Sequence, residues 1–127
     1  MGPNFPIPQS FVAREGSGRD LWETFTVTRT GWTDVGTPTV VGRYHQVGRA
    51  VEGTIEVTPS TSVATTAGTS YVELPITAAG YGSGSMQNVS TNIAIGACVV
   101  DRTNSRLYVP TQAATGNTLV IWFSYEV

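Results

Sequence analysis

Between Arg49 and Thr58 the chain alternates without a break. Val51, Gly53, Ile55 and Val57 fall on one side of an extended backbone, and Ala50, Glu52, Thr54, Glu56 and Thr58 on the other. A two-residue period marks a half-buried β-strand, because successive strand side chains point to opposite faces. Similar strand-like runs cover 21–30, 38–47, 69–77, 86–93, 94–101, 105–110 and 117–126. Turn-forming clusters separate them: Gly31 to Gly36, Thr65 to Gly68, Gly80 to Ser85 and Ala114 to Asn117. The stretch Gly80-Tyr81-Gly82-Ser83-Gly84-Ser85 reads as a flexible loop. No helix beyond a turn or two is expected, and there is no internal repeat. About eight short strands at this spacing predict an all-β, antiparallel, two-sheet sandwich or a barrel.

Composition agrees with strands. Thr is the commonest residue and Leu occurs four times in 127 residues, a balance that favours β-branched, pleated structure. That length fits one domain. Charged residues are 13%, about half the usual ~25%. All seven basic residues are Arg and the net charge is -2, a poor match to a phosphate backbone, so nucleic acid is not an expected partner. No apolar run approaches the ~20 residues of a membrane span, so no membrane insertion is expected. A lone cysteine, Cys98, excludes an internal disulfide and a Cys-rich zinc site.

Two regions predict partners. Residues 1–20 carry Pro3, Pro6 and Pro8 and end in a Gly-Ser-Gly stretch, which forbids helix and favours an extended arm. Phe5, Ile7, Phe11 and Val12 give that arm too much apolar surface for a solvated tail, so it is expected to dock on a neighbouring subunit or a larger assembly. The division is thus an arm over 1–20 and a β-domain over 21–127. In the last strand Leu119, Ile121, Phe123 and Tyr125 make one face, while Val120 and Trp122 leave the other apolar as well. Val120 and Trp122 are therefore candidates for a subunit interface.

Catalytic patterns are missing. There is no nucleophile elbow, zinc-protease helix or phosphate-binding loop. His45 is the single histidine, read as an ordinary strand residue. Glu52 and Glu56 lie four residues apart on one strand, roughly 13 Å, beyond the ~5–9.5 Å of glycosidase pairs. No catalytic residue, cofactor or metal is expected. Recognition remains: Trp32 and Tyr81 lie in Gly-rich connections, and Arg102 and Asn104 in a hairpin tip, Asp101 to Ser105. An exposed ring can stack on a sugar while amide and guanidinium groups bind its hydroxyls, so these four are receptor-binding candidates. For Trp32 a core-capping role is the better reading.

Three stretches together resemble a known family: Thr37-Pro38-Thr39-Val40-Val41-Gly42-Arg43-Tyr44-His45-Gln46-Val47-Gly48-Arg49-Ala50-Val51, then Leu74-Pro75-Ile76-Thr77-Ala78-Ala79, and Gly116-Asn117-Thr118-Leu119-Val120-Ile121-Trp122-Phe123-Ser124-Tyr125-Glu126. They are similar to the small C-terminal β-sandwich of tailed-bacteriophage tail-fibre, tail-spike and minor tail proteins, over roughly 31–127. The resemblance implies a jelly-roll-like sandwich, assembled as a homotrimer on the virion surface, attaching to host polysaccharide without enzyme activity. Tyr44, Gly48, Arg49, Leu74, Pro75 and Tyr125 would be scaffold positions. Tail location is the first expectation, with other virion proteins held through residues 1–20. A methionine followed by a short arm is also how capsid decoration proteins and head fibres are built, which makes a capsid decoration or head-fibre protein, anchored to the capsid by that arm, the alternative.

Overall fold

The computed structural model describes residues 22–127, and every regular element among them is a strand. In chain order these are β1 (Glu23–Phe25), β2 (Arg29–Thr30), β3 (Thr33–Val35), β4 (Thr39–Val47), β5 (Ala50–Thr58), β6 (Ser62–Thr65), β7 (Tyr71–Glu73), β8 (Gly82–Asn88), β9 (Ile93–Asp101), β10 (Arg106–Tyr108), β11 (Gln112–Thr115) and β12 (Leu119–Glu126). Nine form one sheet in the order β1-β4-β5-β12-β8-β9-β10-β7-β2, and three form a second in the order β11-β6-β3. The fold is all-β, and its strand pairs are antiparallel.

Strand number is where the sequence reading needs correction. The run 21–30 is two strands at opposite edges of the large sheet, β1 and β2. The cluster Gly31 to Gly36 contains β3, and Ser62–Thr65 and Gln112–Thr115 are further short strands. The Gly80 to Ser85 stretch is no loop after Gly82: it starts β8, a strand hydrogen-bonded on both sides. The expected arm over 1–20, with Phe5, Ile7, Phe11 and Val12, lies outside the described residues.

The sheet must curl. From Phe25 at the end of β1 to Arg29 at the start of β2 is four residues, a reach of at most ~14 Å, yet β1 and β2 lie on opposite edges of nine strands. Flat, nine strands at ~4.8 Å would hold those edges far further apart. A bond from Glu73 N to Thr28 O, 3.0 Å, ties the connecting segment to β7. The concave side holds the core: Val51, Ile55 and Val57 of β5, Leu119, Ile121, Phe123 and Tyr125 of β12, Met86, Cys98, Leu107 and Val72. Val63 and Ala114 bring the small sheet onto that core.

β5 follows its pattern fully, with Val51, Gly53, Ile55 and Val57 buried and Glu52, Glu56 and Thr58 exposed. β8 is glycine-rich for a steric reason. Phe123 stands opposite Gly53 on one side and Gly84 on the other. A Cβ on Gly53 would run into the Phe123 ring, and one on Gly84 would come within 2.5 Å of Trp122 O and 3.1 Å of Cys98 Cβ. Tyr125 fastens the end of β12: its hydroxyl donates to Ile76 O at 2.7 Å and accepts from Ile76 N at 3.1 Å. Burial pushes that phenol up to about 12.

Candidate functional site

The convex face of the large sheet is the outward chemistry of the molecule. Because β5, β12 and β8 pair in register, Thr54, Trp122 and Ser85 form one row across them, and Glu52, Ser124 and Ser83 the next. β4 adds Arg43 beside Thr54 and His45 beside Glu52. Trp122 stands in the middle with 48% of its surface exposed. It is a wall of two grooves. One, of about 350 Å³, is lined by Glu52, Ser83, Gly84, Ser85, Trp122, Phe123 and Ser124. The other, of about 360 Å³, is lined by Trp22, Arg43, Thr54 and Trp122.

Local contacts hold this face in shape. Trp22 stacks on His45 with ring centroids 4.2 Å apart. His45 Nε2 lies 3.1 Å from Glu52 Oε1. The hydroxyls of Ser83, Ser85 and Ser124 make no hydrogen bond to a described residue: Ser85 stands between Trp122 and Ala97, Ser83 between Ser124 and Val99, and Ser124 between Ser83 and Glu52. Val120, the other interface candidate, is half-buried beside Glu56 and Gln87. Around Trp122 the face is polar on the β5 and β8 sides, and its other apolar side chains lie further out, Trp22 before β1, Val41 and Val47 on β4 and Val99 on β9.

The four receptor-binding candidates separate into two places. Tyr81 and Arg102 meet: the Arg102 guanidinium lies 4.3 Å from the centre of the Tyr81 ring, and Tyr81 is 74% exposed. They sit at the strand ends that also carry the Val47–Ala50 turn and Val127. Asn104 serves the turn, its Nδ2 donating to Asp101 Oδ2 at 3.0 Å while its backbone N donates to Asp101 Oδ1 at 3.3 Å. Those bonds, the Asn104 side chain first, hold the Asp101 carboxyl below its ordinary value. Trp32 is remote from this pair in function: it packs against the core, and its indole N–H donates to Tyr71 O at 3.2 Å. It caps the core, as preferred from sequence. Arg29 rests 5.2 Å above it and is held by both oxygens of Asp34 at 2.8 Å.

Trp22, Arg43, Ser83 and Ser85 were not singled out from sequence. Ser83 and Ser85 were hidden by the loop reading of the Gly-Ser stretch. The available signal was the pairing of Phe123 with glycines, which only a register can supply. Cys98 is buried, and burial pushes its thiol up to about 12, which leaves it unreactive. Among the described residues no group of three His, Cys, Asp or Glu side chains could hold a metal ion. No helix there is long and apolar enough to cross a membrane.

No protein-family description, curated protein or solved structure matches the chain.

Proposed function

We propose that the chain is a non-enzymatic surface protein of a tailed-bacteriophage virion, a trimeric, jelly-roll-like module that attaches the particle to host polysaccharide. The observation that carries this reading is the exposed Tyr81–Arg102 pair. A flat ring with a planar cation stacked on one face, at a strand end, forms a recognition surface that offers the free ring face for stacking and the guanidinium edge for bidentate hydrogen bonding. The sequence resemblance supports the setting. Its motif residues fall at framework points: Gly48 in the β4–β5 turn with φ +61°, Leu74 and Pro75 directly after β7, and Tyr125 bonded to Ile76.

A second reading, a capsid decoration protein gripped through residues 1–20, is favoured by one observation. Trp22, which follows that segment closely in the sequence, lies beside His45, at the same strand ends as Tyr81 and Arg102. Anchoring from that end would turn Tyr81 and Arg102 towards the particle. Antibody labelling of intact particles in the electron microscope separates the two. Label at the tail tip is the expected result, label over the head selects the decoration reading, and particles without label overturn both.

A further inference from the structure

We infer that the groove beside Trp122 on the convex sheet face is a binding site for a neutral hexopyranose unit of a polysaccharide, separate from the Tyr81–Arg102 pair. It rests on the attachment reading for its biological use and on the geometry for its chemistry. A pyranose ring has an apolar C–H face and a rim of hydroxyls, so its complement is one aromatic platform ringed by short donors and acceptors. The groove has that composition. The Trp122 indole is its platform, and Ser83, Ser85 and Ser124 supply hydroxyls that no described residue engages. Glu52 contributes a carboxylate whose Oε1 faces His45, with no described partner at Oε2.

The slot exists because β8 is built from Gly and Ser here. Across from Trp122 stands Ser85, with Gly84 and Ser83 next along the strand, so nothing bulky covers that side of the indole. At about 350 Å³ the groove falls at the small end of the ~300–1,000 Å³ range of ligand sites. Charge selects the ligand. Glu52 is the one charged residue among those described on the wall of this groove, Arg43 lying in the other groove of Trp122, and it disfavours an acidic sugar, whereas a carboxylate accepts two sugar hydroxyls well. Charge also argues against a second copy of the chain as the occupant. A neighbouring copy seated here, in a trimer as in a dimer, would bury Glu52 and Glu56 in its contact, and interface cores are depleted of charged residues.

The test is fluorescence titration and affinity electrophoresis of the full chain with three neutral probes: maltohexaose, the N-acetylglucosamine hexamer and yeast mannan. Binding of at least one probe is expected, with a change in Trp122 emission. Trp122→Ala should weaken it about tenfold or more, Trp122→Phe should retain part of it, and Val35→Ala, at an exposed position on the small sheet, should leave it unchanged. Ser85→Leu, which fills the slot and keeps the indole, should abolish it. Failure of all three probes overturns the proposal, as does unchanged binding in Trp122→Ala. Acrylamide quenching, read as wild type minus Trp122→Phe, covers the other occupants. Quenching lost as protein concentration rises means a second copy covers the indole, and quenching absent at every concentration means residues 1–21 do; either overturns the proposal. Sugar binding through Trp122 by a protein that never labels a particle leaves the site standing and defeats only the attachment reading. Particle labelling without sugar binding does the reverse.

Discussion

β5 and β8 flank the same strand, β12, and pack around the same Phe123, yet they do so by opposite means. β5 contributes Val51, Ile55 and Val57, three fully buried side chains, and only at Gly53 makes room. β8 contributes Met86 and the buried Asn88, and offers space at its start, with Gly82 and Gly84 opposite Tyr125 and Phe123. One neighbour stabilises β12 by filling the core, the other by letting aromatic rings and backbone approach. The difference carries outward too, since β5 shows Glu and Thr to solvent on the convex face while β8 shows serines and leaves a slot.

The largest effect expected is on the filled side. Ile55→Ala empties the centre of β5, where Ile55 is wholly buried opposite Ile121, and should cost ~2–5 kcal/mol in chemical denaturation. The corresponding loss on the β8 side comes from adding atoms. Gly84→Val places a branched side chain against Trp122 O, Cys98 Cβ and Leu107 Cδ1, and should cost ~1–3 kcal/mol, with reduced yield of folded protein. A Gly84→Val protein as stable as wild type would break the comparison, because β8 would then be glycine-rich for no packing reason.

Next in size is Tyr125, whose register partners are Val51 of β5 and Gly82 of β8. Tyr125→Phe keeps the ring and strips Ile76 N and O of their partner, an unsatisfied pair worth ~1–3 kcal/mol. Alkaline titration reads the same group. Folding raises the phenol of Tyr125 from 10.0 to about 12 and the thiol of Cys98 from 9.0 to about 12, in both cases by burial of a group that is neutral when protonated. Stability is therefore complete below pH 9 and lost as pH climbs through 9 to 12. Denaturant midpoints should be level from pH 7 to 9 and fall above, and Tyr125→Phe should flatten part of that fall. A midpoint that rises between pH 10 and 12 would contradict the sign.

These contrasts explain what sequence could and could not tell. β5 and β12 were legible because their faces are decided by hydrophobic alternation, which a single strand records in itself. β8 was not, because Gly-Ser-Gly-Ser has no alternation to read and the reason for its glycines lies in Phe123, nearly forty residues further on in the chain. β3, β6 and β11 were missed on similar grounds. They have three or four residues each, too short to show a period. At the site, Tyr81 and Arg102 were both named, but their stacking depends on β8 and β9 ending together. Trp122 was named as an interface residue because sequence shows its apolar side chain and not the serines that register places around it.

The smallest effect is expected at the two outward neighbours of Trp122 in its row, Thr54 on β5 and Ser85 on β8. Thr54→Val and Ser85→Val leave the core untouched, and valine suits a strand at least as well as the residues it replaces. Each should shift stability by no more than about 0.5 kcal/mol, as outward-facing substitutions do. Such neutrality sharpens the comparison by separating the two faces of β8. Inward, at Gly84, one added side chain is costly; outward, at Ser85, it is tolerated, so the small residues on the convex side are not required for folding. A loss at Ser85 as large as that at Gly84 would mean that both faces of β8 are constrained by packing, and the open slot beside Trp122 would then be a by-product of the fold rather than a surface kept clear for a ligand.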